Sequence, residues 1–117
     1  MKYVIDMIDD MRENIQNSED YTLWAMLIKE DDNKNFQIAG EKAISSLYVD
    51  HDTKQLHLGL FDENITSKVL LECANSLDIQ AMMYELVIKI SKKHPLMSVV
   101  GFGENHEEKK YIFFVTI

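Results

Sequence analysis

Two histidines and two aspartates lie close together in the stretch VDHDTKQLHLG and form the densest group of potential metal ligands in the sequence. Imidazole nitrogens and carboxylate oxygens are ligands that zinc accepts, and carboxylates in a short loop are typical of calcium sites. Apolar residues with the spacing of strands flank the group on both sides. Any metal site here would therefore have to be built on the turn of a β-hairpin.

The alternation of apolar residues around this turn decides where the four side chains point. Cross-strand partners share a face of a sheet, so the apolar pattern fixes the register. The residues that must face the core are Leu47, Val49, Leu56, Leu58 and Leu60. His57 then points away from the core, whereas His51 falls on the opposite parity at or beside the turn. We therefore predict no metal site, and Tyr48, Asp50 and His57 remain as a candidate surface cluster or pocket.

Nucleophilic and phosphate chemistry find little support in the sequence. Cys73 is the only cysteine, which excludes an intramolecular disulfide, and the acidic residue beside it disfavours a reactive thiolate. Gly101 and Gly103 are followed by glutamates that would repel a phosphate, so we predict a strand bend or bulge there. We predict no catalytic residues and no cofactor, although catalytic groups can also meet only in the folded chain.

Hydrophobic periodicity predicts two helices. Apolar residues recur at helical spacing from Tyr3 to Asn17, which predicts an amphipathic N-terminal helix with one buried face. The residues of that face would be Val4, Ile8, Met11 and Ile15, widened by Tyr3 and Met7. A second helix is predicted near residues 65–77, and its buried face would comprise Ile65, Val69, Cys73 and Leu77. Residues 79–93 satisfy both a helical and an alternating pattern, and their β-branched side chains favour a strand.

Strand patterns occupy most of the remaining chain. The predicted strands are YTLWAMLIK, FQIAGE, AISSLYV, LHLGLF, LMSVVGFG and KKYIFFVTI. The first is apolar on both alternating sets, so we expect it to be covered on both sides. Strands in consecutive hairpins predict an α+β fold with a mainly antiparallel sheet of about six or seven strands. We find no internal repeat and no linker, so residues 1–117 are expected to form a single globular domain.

The charge of the chain argues against two classes of partner. There are 20 acidic residues against 12 lysines and arginines, which gives a net charge of −8, and the acids are concentrated before Asn33. Phosphate backbones and anionic lipids are bound by neutralising them with basic side chains. We therefore expect no nucleic-acid and no membrane partner. No apolar run reaches the length of a transmembrane helix or secretory signal, so we expect a cytoplasmic protein.

Two functional hypotheses follow. In the first, the chain is a non-enzymatic protein–protein interaction module of chaperone, inhibitor or immunity type. Its protein partner would bind an exposed sheet edge, or the acidic helix face formed by Asp6, Asp9 and Glu13. In the second, it is a small-molecule-binding or enzymatic α+β domain with a pocket between a helix and the sheet, near Trp24, Tyr48 and His57. A homodimer that covers exposed strand edges is also open.

Overall fold

A computed structural model describes residues 1–15, 19–60, 63–90 and 95–116. Two α-helices, α1 (Val4–Asn14) and α2 (Ser67–Asn75), and a 3-10 helix (Ala81–Met83) accompany six strands. The strands are β1 (Thr22–Glu30), β2 (Phe36–Asp50), β3 (Gln55–Leu60), β4 (Glu85–Lys89), β5 (Met97–Asn105) and β6 (Lys110–Thr116). The predicted α+β class, with an N-terminal helix and a mainly antiparallel sheet, is confirmed.

The six strands pair in chain order and close into a barrel, because β6 lies beside β1. Four pairings are antiparallel, and two, β3 with β4 and β1 with β6, are parallel. Parallel neighbours need a crossover connection, which α2 supplies between β3 and β4. The sequence pattern predicts only antiparallel hairpins. It did not reveal the two parallel strand pairs or the closure of the sheet into a barrel.

One hydrophobic core joins the inner face of the barrel to both helices. The buried residues of α1 are Val4, Met7, Ile8 and Met11, which agrees with its predicted buried face. The inward strand residues include Leu23, Ala25, Ile44, Leu56, Leu58, Leu86, Ile88, Tyr111 and Phe113. Several ends of predicted elements lie outside the described residues, namely residues 16–17, 61, 91–93 and 117.

The buried face of α2 agrees only in part with the predicted one, because Ile65 and Leu77 pack against the core but Val69 does not. Val69 is 48% exposed. The buried residues of this helix are Ser67, Leu70 and Ala74. Ser67 lies inside because its hydroxyl accepts a hydrogen bond from Tyr21 N (2.9 Å) and donates one to Asp20 Oδ1 (3.1 Å). A polar group with partners can be buried, whereas a hydrophobicity pattern assigns serine to solvent.

The structure also resolves or corrects four of the predicted strands. Residues 79–93 begin with the 3-10 turn and continue as β4, so the favoured strand is confirmed for Glu85–Lys89. The segments FQIAGE and AISSLYV form one strand, β2, which bends at a bulge between Ile44 and Ser46. YTLWAMLIK is fully covered only on its inner face, since Trp24 on the outer face is half-buried. The bend predicted at Gly101 is confirmed as a bulge in β5.

The chain repeats one architecture, α1–β1–β2–β3 and then α2–β4–β5–β6, so the expectation of no internal repeat is wrong. We call these segments the first half (residues 1–60) and the second half (residues 63–116). Each helix is fastened to the other half by corresponding backbone hydrogen bonds. They run from Val4 N to Tyr84 O (2.9 Å) and Leu86 N to Lys2 O (2.9 Å), and from Ser67 N to Tyr21 O (2.7 Å) and Leu23 N to Ile65 O (3.1 Å).

The turn between the last two strands of each half, β2–β3 and β5–β6, also has the same pattern in both halves. The turns read DHDTKQ and NHEEKK, with histidine second and lysine fifth in both. Lys54 and Lys109 both adopt the left-handed backbone, with φ of 57° and 53°. The carbonyl of Lys54 accepts a hydrogen bond from Glu85 N (3.1 Å), and that of Lys109 accepts one from Thr22 N (2.9 Å). A pseudo-two-fold axis therefore relates the two halves of the barrel.

Candidate functional site

The hairpin of the VDHDTKQLHLG stretch folds in the predicted register. Tyr48 pairs with His57 and Asp50 with Gln55, while the apolar residues of both strands contact the core. The rings of Tyr48 and His57 meet edge to face, with centroids 5.8 Å apart. The pKa of Asp50 is lowered by hydrogen bonds within the turn, and the bond from Thr53 N has the largest effect. The structure thus brings these three residues together on the outer face of β2 and β3, where the Asp50 carboxylate stabilises the turn.

Two buried tyrosines hold the two matching turns through their histidines. His51 Nδ1 lies 2.9 Å from the hydroxyl of Tyr84, and His106 Nδ1 lies 2.6 Å from that of Tyr21. Tyr21 also donates to Glu19 Oε2 (3.1 Å), which leaves the Nδ1 proton of His106 to be donated to the tyrosine oxygen. Sequence reasoning missed both pairs. The signal that could have revealed them is the shared His-x-x-Lys spacing of the turns.

The predicted acidic face of α1 is divided between two roles. Asp9 and Glu13 are exposed. Asp6 is half-buried, and its carboxylate accepts a hydrogen bond from Tyr3 N (2.8 Å) as part of the capping box that begins the helix. Only Asp9 and Glu13 therefore present their carboxylates freely to solvent on this face.

A polar cleft of about 760 Å³ lies between the end of α1 and the β5–β6 turn. Its lining residues are Arg12, Glu13, Asn14, Ile15, Glu19, Tyr21, His106 and Lys109. Lys109 Nζ lies 3.2 Å from Glu19 Oε1. Hydrogen bonds from Lys109 and then Tyr21 lower the pKa of Glu19, and burial raises the pKa of Tyr21. The charges in the cleft largely neutralise one another, so the cleft lacks the concentrated positive field that would attract an anion.

A carboxyl pair joins α1 to the β5–β6 hairpin. Tyr111 donates to Asp10 Oδ2 at 2.7 Å, and Asn14 Nδ2 donates to Asp10 Oδ1 at 3.2 Å. Glu104 lies opposite Tyr111 in the sheet and within hydrogen-bonding range of Asp10. The Oε1 atom of Glu104 is buried and has no partner among the described residues. A proton held between the two carboxyls would satisfy this oxygen.

The protonation behaviour of this cluster follows from its surroundings. Burial, and then the hydrogen bond and negative charge of Asp10, raise the pKa of Glu104 to about 7. The same two causes raise the pKa of Tyr111 above its ordinary range, so this side chain stays a neutral donor. A Glu104 carboxyl with this pKa holds its proton to a higher pH than an ordinary glutamate does. The sequence did not reveal this property because Asp10, Glu104 and Tyr111 come from three elements.

The matching contact in the other half of the barrel carries no acid. The residues at the positions that match Asp10, Glu104 and Tyr111 are Cys73, Val49 and Leu56. Leu56 is fully buried, Val49 packs against the core, and Cys73 is half-buried rather than a full core residue. The fold thus accommodates apolar side chains at these positions, so the carboxyl pair is not required by the architecture.

The β1–β2 hairpin extends beyond its counterpart. In the described chain β4 and β5 share two paired positions, whereas β1 and β2 pair from Trp24 with Ala43 out to Glu30 with Phe36. We call residues 26–41 the hairpin arm. Phe36 and Ile38 are each 67% exposed, and Ile38 pairs with Ile28 on the same outer face. The arm therefore presents adjacent apolar side chains to solvent.

The free edge of the arm is irregular. Leu27 pairs with Gly40 and Ile28 with Ile38, so Ala39 is an extra residue in β2 and forms a bulge. Bulges bend an edge strand and oppose the addition of another strand. The arm is consequently better suited to contact through its outer face than through its edge.

Within residues 1–15, 19–60, 63–90 and 95–116, no three His, Cys, Asp or Glu side chains converge as metal ligands would. None of the helices in that part of the chain has the length and apolar character needed to cross a membrane. No protein-family model, curated protein or solved structure matches this chain.

Proposed function

We propose that the chain is a non-enzymatic protein–protein interaction module, of chaperone, inhibitor or immunity type, and that it binds another protein through the outer face of the hairpin arm. The observation that carries this proposal is the exposure of Phe36 and Ile38, 67% each, on an extension that has no counterpart in the described part of the second half. Burying either side chain is worth roughly 1.5–3 kcal/mol. The isolated chain leaves that free energy available for a partner.

The arrangement around these side chains also supports an interface. Single exposed hydrophobic residues are common on protein surfaces, but Phe36, Ile38 and Ile28 adjoin one another on one face. Charged residues surround them, since Glu30 lies opposite Phe36 and Glu41 is paired with a lysine of β6. An apolar centre with a polar rim is the usual anatomy of a protein interface.

The charge of the chain indicates what the partner should offer. Acidic residues at the rim of the arm, together with a net charge of −8, favour a partner whose surface is apolar at the centre and neutral or basic around it. In this proposal Asp6, Asp9 and Glu13 on α1 act through long-range attraction, because charges outside the buried contact mainly affect the association rate.

The proposal is tested by affinity capture from the native host lysate after nuclease treatment, with quantitative mass spectrometry. The double variant Phe36→Ser, Ile38→Ser should recover at least roughly tenfold less of the partner, since two buried anchors would be lost. The matched control is Ile79→Ser, which removes an isoleucine that is 88% exposed but lies outside the arm. Equal capture by the wild type and the double variant would refute the role of the arm.

A second candidate function, a small-molecule-binding or enzymatic domain, has one specific observation in its favour. The cleft between α1 and the β5–β6 turn combines the Tyr21–His106 pair with Arg12. Nuclear magnetic resonance titration with a fragment library tests it. Saturable shifts confined to the amides around Tyr21 and His106 would support this function, and their absence would exclude ligands of that size.

A further inference from the structure

The two ends of α1 are held to the barrel by different kinds of contact. At its start, Val4 N and the carbonyl of Lys2 make backbone hydrogen bonds to Tyr84 and Leu86, both 2.9 Å long. Near its end, the polar contact with the barrel is the 2.7 Å hydrogen bond between Tyr111 and Asp10, beside Glu104, while Arg12 donates to Asn75 Oδ1 on α2 at 3.4 Å. The backbone contacts do not titrate, whereas the second attachment contains two carboxyl groups.

The charge state of these carboxyls decides whether the second attachment is favourable. The titratable groups that face Glu104 are Asp10 on α1, Tyr111 on β6 and, farther away, Tyr21 beside β1. All three are acids, so no positive partner among them compensates a second negative charge. With both carboxyls ionised, the buried Oε1 of Glu104 has no hydrogen-bond donor and two like charges face each other.

We propose that Asp10, Glu104 and Tyr111 form a proton-controlled latch that closes the C-terminal half of α1 on the β5–β6 hairpin when the carboxyl pair holds a proton. Loss of that proton loosens residues 10–15, while the N-terminal half stays fastened to β4. The cleft beside Tyr21 and His106 widens as a result. This inference is independent of the proposed function, because the hairpin arm takes no part in it.

The latch is tested by amide hydrogen exchange of the full chain at pH 6 and pH 8, corrected for the intrinsic exchange rate. For wild type we expect the opening equilibrium of the amides of residues 11–15 to rise roughly tenfold between these pH values, given an average of about half a proton released on opening across that range. The amides of Val4 and Leu86 should show no such change. In Glu104→Gln, a neutral isostere, the rise should disappear.

The matched control is Glu107→Gln, which removes an exposed carboxylate from the same hairpin and should leave the wild-type pH response intact. A wild-type response below twofold, or an equal response in Glu104→Gln, would overturn the latch. If Glu104→Gln does not fold, Glu104→Val replaces it, because valine stands at the matching position 49.

A direct titration of the Glu104 carboxyl carbon by nuclear magnetic resonance completes the test. A midpoint above pH 6 supports a shared proton at this site. A midpoint near the ordinary value of 4.5 overturns the proposal whatever the exchange data show.

Discussion

The two halves of the molecule share a frame and differ in what they add to it. Both fasten a helix to a strand of the other half, turn through a His-x-x-Lys loop, and place the histidine against a buried tyrosine. Among the described residues, only the first half extends its hairpin into the arm, and only the contact of α1 with the β5–β6 hairpin contains a carboxyl pair. Features that occur twice serve closure of the barrel, so features that occur once are the better candidates for function.

Features present in both halves and features present in one half should also differ in how much they contribute to stability. A residue pair that is buried and matched in both halves stabilises the fold, and changing it should lower the free energy of unfolding. An exposed arm and an unsatisfied carboxyl oxygen contribute little or cost stability, which a protein tolerates where function requires it. Variants at matched and unmatched positions therefore separate the two categories.

The largest effect is expected at the matched tyrosines. Tyr21→Ala and Tyr84→Ala should each lower the free energy of unfolding by about 3–5 kcal/mol, because each empties a buried aromatic site. Urea denaturation at a fixed pH measures both. The exposed Tyr48→Ala is the control and should cost far less. A loss below about 1 kcal/mol for only one of the buried tyrosines would show that the halves are not equivalent.

A smaller effect is expected from the carboxyl pair as the pH changes. The pKa of Glu104 in the folded chain, about 7, is higher than its ordinary value of 4.5. The folded chain therefore holds a proton that the unfolded chain releases, so the contribution of Glu104 to stability is fully present below pH 4.5 and is lost as the pH rises through 7. The expected loss is roughly 1–3 kcal/mol, allowing for partial exposure of the group.

The control for this prediction compares the free energies of unfolding of wild type and Glu104→Gln, measured by urea denaturation at pH 4.5, 6 and 8. Glutamine cannot ionise, so the variant should gain relative stability as the pH rises. A constant difference across this range would contradict the predicted linkage.

Removing single hydroxyls should have an effect of about 0.5–1.5 kcal/mol in each half. Tyr84→Phe loses the contact with His51, whereas Tyr21→Phe loses contacts with both His106 and Glu19, so the second variant should be the less stable. Thermal unfolding compares the two. The reverse order would mean that Glu19 contributes nothing to holding this turn.

The smallest effect on stability is expected in the arm. Phe36→Ser, Ile38→Ser should change the free energy of unfolding by less than about 0.5 kcal/mol per residue, because both side chains are mostly solvated. Calorimetry on the double variant measures this change alongside the capture experiment. A loss above 2 kcal/mol would make the arm a structural element and remove the main support for an interface.

Hydrophobic patterns in the sequence correctly predicted features that depend on neighbouring residues, such as strand register and the buried face of α1. The register of β2 and β3 followed from the alternation of leucines, since a shift by one residue would turn Leu56 and Leu58 to solvent. The buried face of α1 followed from its period. The face of α2 did not, because Ser67 obtains its partners from Asp20 and Tyr21, which are distant in the chain.

Contacts between distant elements escaped prediction for the same reason. Asp10, Glu104 and Tyr111 meet only because α1 packs against β5 and the barrel core, and nothing in their spacing indicates this contact. The internal repeat was not visible in the sequence because the two halves share the same order of elements but few identical residues. Only a few matched residues, such as the turn histidines and lysines, are the same in both, and the longer arm shifts one half relative to the other.

The pseudo-two-fold has a consequence for how the chain can be connected. Leu60 ends β3 just as Val115 lies at the end of β6, and Ile65 leads into α2 just as Lys2 leads into α1. The pseudo-two-fold implies that Val115 and Lys2 are about as far apart as Leu60 and Ile65, so a connection as long as residues 61–64 should span from Val115 to Lys2. A circularly permuted chain that begins with the second half would then keep every strand neighbour. The barrel therefore depends on the pairing of neighbouring strands around it and not on which half comes first in the chain.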